Sequence, residues 1–230
     1  MSFDAIAPWY RSLERIAFGD QLQRCRVACL GEIRAPRRAL IVGEGNGRFL
    51  CELLRVHPTA EVDCLDASEG MLRLARKRVE QTSPDRAARV RFIHEDIMSW
   101  TPPAPRYDLI VTHFVLDCFR EPELALITKK LATAATEDAT WLLADFCIPV
   151  GGFARARARV WLTLMYGFFR ATAGIEATGL IDPAPFLQAH GFALTTQHQF
   201  KGAMLKSESW RRNSLGSAGC QPAHLGSLPR

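Results

Sequence analysis

The chain has 230 residues, 48% hydrophobic and 23% charged, enough apolar material for one domain with a sizeable core, which excludes a disordered or fibrous protein. Its net charge of +5, from 29 basic and 24 acidic residues, is a mild excess that suits an anionic ligand without demanding nucleic acid. The seven cysteines are scattered with no C-x-x-C pair, which excludes a zinc or disulfide framework and leaves no metal ligand set to read.

In chain order, residues 1–35 read as helical and precede the first strand, forming an N-terminal cap. The opening "MSFDAIAPWYRSLER" carries charges and has no signal-like apolar core, so a reducing cytoplasm is expected. "RALIV" (38–42) is a candidate buried strand, followed by the glycine loop "GEGNG" and a helical pattern in "RFLCELLRVH". "EVDCLD" (61–66) is a second strand. The helix of 68–81 follows it, with Ser68 as the candidate N-cap.

"RVRFIHED" (89–96) and "YDLIVTHF" (107–114) supply strands three and four, separated by the proline-rich "TPPAP". A helix in "EPELALITKKLATAA" has Pro122 near its start, and a fifth strand lies in "ATWLLADFCI". Residues 153–180 interrupt the sheet as a helical insertion, in which Val160, Trp161, Leu164, Met165, Phe168 and Phe169 share one broad face. Its longest apolar window, "VWLTLMYGFF", has about half the length needed to span a bilayer. A short helix closed by Gly191 and a hairpin around Lys201-Gly202 complete the ordered chain, and 213–230 is a Gly/Ser/Pro-rich tail.

Strand–helix alternation of this kind predicts an α/β, Rossmann-like sheet of seven strands. It is mostly parallel, with helices on both faces and an antiparallel C-terminal hairpin, and 1–212 forms a single domain. The loop Gly43-Glu44-Gly45-Asn46-Gly47 then falls at the carboxyl edge of the first strand, where open α/β sheets bind ligands. Its spacing is G-x-G-x-G, and Arg48 stands where the dinucleotide fingerprint needs a third glycine. Asp66 ends the second strand, where an acid can accept both ribose hydroxyls. Asp96 ends the third, where a carboxylate can accept from an adenine amino group. Glycine loop, ribose acid and base acid on successive strand ends define a nucleoside-shaped site.

On these residues the chain resembles the class I S-adenosylmethionine-dependent methyltransferases over roughly 36–150, and most of all the small-molecule branch that includes the ubiquinone and menaquinone enzymes. The resemblance implies S-adenosyl-L-methionine as cofactor. It places Gly43, Glu44, Gly45, Asn46 and Gly47 beside the methionine part, Asp66 with Ala67 on the ribose, and Asp96 with Ile97 on the adenine. His113, at the fourth strand's end, lies beside the reacting methyl. Many members carry an acid two places before the first glycine. Here that place is Ile41, and Glu44 is the candidate replacement.

His113 is the candidate base, and Asp117 its candidate orienter. Tyr10, Trp161, Met165 and Phe169 are candidate walls of an apolar acceptor pocket that excludes water. The acceptor expected is a quinone-, phenol- or lipid-like small molecule. No N/D-P-P-Y/F motif stands at Thr112-His113-Phe114-Val115, which argues against methylation of a nucleobase. The readings set against this one are an RNA methyltransferase, which Arg155, Arg157 and Arg159 would serve, and a cofactor-binding protein without turnover. Oligomeric state has no sequence signal.

Overall fold

The computed structural model describes residues 20–149, 151–152 and 179–213. Tyr10, Trp161, Met165, Phe169, the three alternating arginines and all but the first residue of the tail lie outside the described residues.

Seven strands form one sheet in the order β3-β2-β1-β4-β5-β7-β6. They are β1 (Arg38–Val42), β2 (Glu61–Asp66), β3 (Val90–His94), β4 (Tyr107–His113), β5 (Ala135–Phe146), β6 (Phe192–Phe200) and β7 (Leu205–Arg212). The first five run parallel, β7 is antiparallel to β5, and β6 is antiparallel to β7. The expected architecture is therefore the observed one. Among the described residues its helices include α1 (Gln21–Val27), α2 (Arg48–Val56), α3 (Glu69–Thr82), α4 (Glu121–Ala134) and α5 (Ala184–Ala189).

Strands covered on both faces read as unbroken apolar runs. Ala39, Leu40, Ile41 and Val42 are all buried, with alternate side chains feeding opposite cores. Leu40 and Val42 pack with Leu124, Ile127 and Leu131 of α4 and Leu187 of α5. Ala39 and Ile41 pack with Phe49, Leu50 and Leu53 of α2 and Leu72 and Val79 of α3. Among the described residues no helix is long and apolar enough to cross a membrane.

Element ends follow local chemistry. Ser68 Oγ accepts from the Met71 N–H at 3.1 Å and caps α3, as expected. β5 begins at Ala135, directly out of α4 and ahead of the predicted strand, because its polar Thr136-Glu137-Asp138 segment carries no apolar signature. The final turn is four residues, 201–204, rather than two, and Lys201, Gly202 and Ala203 all take positive φ. At the far end of β2, Asp63 binds Arg91, Arg106 and the Tyr107 hydroxyl. Burial alone would raise the Asp63 carboxyl, but those three donors hold it below the usual carboxylate range.

The turn from β1 to α2 is fixed by backbone sign and by contact. Gly43, Gly45 and Gly47 have φ of 67°, 69° and 80°, a region costly for residues with a Cβ. A Cβ on Gly43 would meet Val115 Cγ2 at 2.8 Å, and one on Gly47 would meet the Ala75 backbone at 2.8 Å. A Cβ on Gly45 would meet nothing within 4 Å. Glu44 turns inward: its Oε1 accepts from the N–H groups of Phe49 and Leu50, both at 3.0 Å, satisfying two donors of the α2 N-terminus.

Two outcomes follow from this turn. Gly47→Ala pushes a methyl into α3 at a left-handed position, so it loses about 2 kcal/mol of stability and roughly 4–8 °C in Tm, read by calorimetry. Burial lifts the Glu44 carboxyl to about 7, against the pull of the Leu50 N–H and Arg26. A raised folded-state pKa means the fold holds this proton more tightly than the unfolded chain does. Its contribution is complete below pH 4.5 and is lost as pH climbs to about 7. Denaturant titrations from pH 5 to 8 should show wild type weakening relative to Glu44→Gln across that window, then running parallel above it.

Candidate active site

β1 sits between β2 and β4, so the connections leaving it diverge and open a crevice at its carboxyl end. Gly43 and Gly45 line that cleft together with Asp66, Ala67, Asp96 and Ile97. Val42, Leu65 and Met71 supply apolar floor, and Phe114, Val115, Cys118 and Phe119 close the side beyond β4. The three features read from successive strand ends thus share one cavity.

Asp66 is shaped for this edge. Its Oδ1 accepts from the Ser68 N–H at 2.9 Å and its Oδ2 from the Gly45 N–H at 3.2 Å. The carboxylate is therefore tied to the glycine loop, while Ser68 caps the helix that Asp66 might otherwise have capped. Asp96 Oδ1 accepts from the Met98 N–H at 2.9 Å, closing a local turn at the edge of the cleft.

Sequence reasoning missed how the 97–100 segment is held. Lys130, from the middle of α4, donates to the carbonyls of Ile97 at 3.2 Å and Trp100 at 2.8 Å, and also to that of Met98. One ammonium thus gathers three carbonyls of the loop whose Ile97 lines the cleft. Nothing in "ITKKL" separates Lys130 from Lys129, because the signal is purely spatial.

The other candidates lie around the cavity rather than in its lining. Asn46 and Gly47 are buried within the loop's own turn, and the Glu44 carboxylate is engaged with α2. His113 is 6% exposed beneath the loop, its ring edge-on to Phe49 at 4.5 Å. Its Nδ1 has no hydrogen-bond partner, so Asp117 does not orient the ring through that atom. Burial, then the charge of Arg26, holds the imidazole well below its usual range and keeps it neutral. Asp117 is buried in the single turn Leu116–Cys118 and accepts from the Cys118 thiol at 3.7 Å.

Away from the cleft, Cys29, Glu32 and His198 bring one ligand-type atom each within 4.8 Å of one another. Their observed contacts already account for them: His198 Nε2 pairs with Glu32 at 2.9 Å, and the Cys29 thiol lies 3.5 Å from Ser207 Oγ.

Comparison with known proteins bears on the domain and its fold. Residues 39–138 match the family model described as a methyltransferase domain. The malonyl-[acyl-carrier protein] O-methyltransferase of Halalkalibacterium halodurans is 36% identical over 90 residues, covering 38% of this chain and 31% of that protein. Polyamine aminopropyltransferase 2 of Bacillus cereus is 30% identical over 129 residues, covering 54% of this chain and 33% of that protein. The chain thus spans about a third of the length of these curated relatives.

Among solved structures, mitomycin 7-O-methyltransferase superposes with a TM-score of 0.67 at 17% identity, covering 92% of this chain and 61% of that one. The Burkholderia thailandensis 1,6-didemethyltoxoflavin-N1-methyltransferase, solved with S-adenosylhomocysteine, gives 0.65 at 13% identity, covering 90% and 85%. At these identities the structural likeness is one of fold. Residues 39–138 thus resemble a methyltransferase domain, carried on a seven-stranded sheet whose fold the methyltransferase structures share.

Proposed function

We propose that the protein transfers the methyl group of S-adenosylmethionine to a small molecule with an apolar or aromatic body. The observation that carries this reading is the shared cleft: the open-faced Gly45, the carboxylate of Asp66 and the Asp96–Ile97 corner all line one cavity at the switch point of the sheet.

In this reading Gly43 and Gly45 let the methionine end lie against bare backbone. Asp66 exchanges its bond to the Gly45 N–H for the ribose hydroxyls, with Ala67 beside it. Asp96 accepts from the adenine amino group while the Ile97 backbone N–H meets a ring nitrogen. Lys130 holds that corner in place, so the site is assembled before ligand arrives and little ordering is left to binding. Glu44 and His113 are assigned to building the loop and its floor. Asp117 stands on the acceptor side, within the Val115–Phe119 wall.

The donor supplies an electrophilic methyl on a positively charged sulfur, and its departure leaves a neutral thioether. The protein's task is alignment and exclusion of water. Holding donor and acceptor in line contributes roughly 7–11 kcal/mol in well-oriented systems. A base enters only where the acceptor must lose a proton. The N-terminal cap and the 153–180 insertion, with Tyr10, Trp161, Met165 and Phe169, are proposed to close over the acceptor.

Isothermal titration with S-adenosylhomocysteine tests the donor half. Wild type should bind in the micromolar range typical of enzyme ligands. Asp66→Ala and Asp96→Ala should each weaken binding at least tenfold. Equal affinity in all three proteins would remove the assignment. Lys130→Met should weaken binding severalfold by loosening the 97–100 corner, an effect that a merely exposed lysine would not produce.

A further inference from the structure

The sheet edge carries a second set of acids that the donor site does not use. Asp145, the penultimate residue of β5, is 1% exposed. Its Oδ1 accepts from its neighbour Phe146 N–H at 2.8 Å, and its Oδ2 has no hydrogen-bond partner. A buried polar atom left unsatisfied is costly, so an orphaned carboxyl oxygen at the carboxyl edge of a sheet calls for an explanation, and a ligand that completes the bonding is one.

The surroundings say which kind of ligand. Burial of the site, and then the charge of Asp117, itself 5% exposed, push the Asp145 carboxyl well above the usual range. The same two acids, after burial, raise the thiol of Cys118, which lines the donor cleft. Asp117 lies between Val115 and Cys118 of the cleft lining, and Asp145 follows Ala144, whose carbonyl accepts from the N–H of Phe114 in that lining at 2.7 Å, so both acids adjoin the cavity on its β4–β5 side.

The described cation that acts on Asp145 is Lys206, its register partner on β7. Lys206 Nζ is already bound to Asp182 at 2.9 Å and to Glu208 Oε1 at 3.2 Å. Glu208 in turn is filled by Gln197 and Trp210. Among the described residues the balance around Asp145 is an excess of acid over base. A carbonyl ligand would meet one proton of this group, whereas an ammonium offers three donors and the missing positive charge.

From the orphaned Oδ2 of Asp145, the adjacent Asp117 and the neighbouring donor cleft, we infer that the acceptor is anchored through a basic amine carried on its apolar body. The inference rests on the proposed methyl-transfer reading and sharpens its acceptor class from apolar to cationic amphiphilic. The ammonium is the anchor, whichever atom takes the methyl. The acid at the end of "WLLADF" was open to the same strand-end logic that singled out Asp66.

The test uses the full chain saturated with S-adenosylhomocysteine and three probes of one shape: 2-phenylethylamine, 2-phenylethanol and phenylacetone. Binding is read by ligand-detected NMR titration. The amine should bind at least tenfold more tightly than the alcohol or the ketone, and Asp145→Asn, checked for folding by its thermal transition, should remove that preference. Equal binding of the three probes to wild type, tighter binding of the ketone, or no amine binding at millimolar concentration would overturn the inference without recourse to the variant. A preference retained in Asp145→Asn would also overturn it. Failure of the wild type to bind S-adenosylhomocysteine at the loading step would instead strike the donor reading, and the two failures are distinct.

Discussion

The left-handed backbone at Gly43, Gly45 and Gly47 is the constraint on which the site depends. The Gly43 N–H donates to the Leu65 carbonyl at 2.9 Å, which extends the β1–β2 pairing past the last strand residue. Gly47 then lies against Ala75 of α3 so closely that no side chain fits between them. Between these two packed glycines, a Cβ on Gly45 would face open space, and its N–H donates to the Asp66 carboxylate. The flanking positions fix the turn, and the central one leaves it bare for a ligand.

That turn also explains the acid in the loop. Most side chains at Glu44 would leave the α2 N-terminus to be satisfied by other means, because its cap position is the glycine at 47. Glu44 reaches forward to the Phe49 and Leu50 N–H groups instead, a favourable place for an acid at the positive end of a helix. Its burial works against its charge, and the compromise is a carboxyl that titrates near neutrality. Loop geometry, helix start and local electrostatics are one problem solved by one residue.

The sheet and its order of elements were legible because β1 and β4 are apolar runs, β1 is followed by a glycine and β2 ends on an acid, and the intervening helices carry apolar periodicity. Asp66 and Asp96 were legible as strand-end acids, and both line the cleft. Directions of side chains were not legible. Whether Glu44 points at ligand or at α2 depends on φ at three glycines, and the placement of His113 under Phe49 depends on which sheet face its strand position meets. Lys130 was invisible because its three carbonyl partners lie 30 or more residues away in sequence. The β5 start was missed for a different reason: polar residues on an exposed strand end look like loop.

In the proposed reading the donor and acceptor sides of the edge are chemically unlike. The donor side offers bare backbone and two acids tied into local turns, while the β4–β5 side offers apolar walls backed by buried acids. Transfer between a nucleoside-bearing donor and a separately held small molecule accounts for that division. Incubating the protein with S-adenosylmethionine labelled in its methyl group and a small-molecule cell extract, followed by untargeted mass spectrometry, tests it most directly. The account predicts label in a discrete small molecule that carries a basic nitrogen. Label confined to RNA, or no transfer at all from a protein that binds the cofactor, would contradict it.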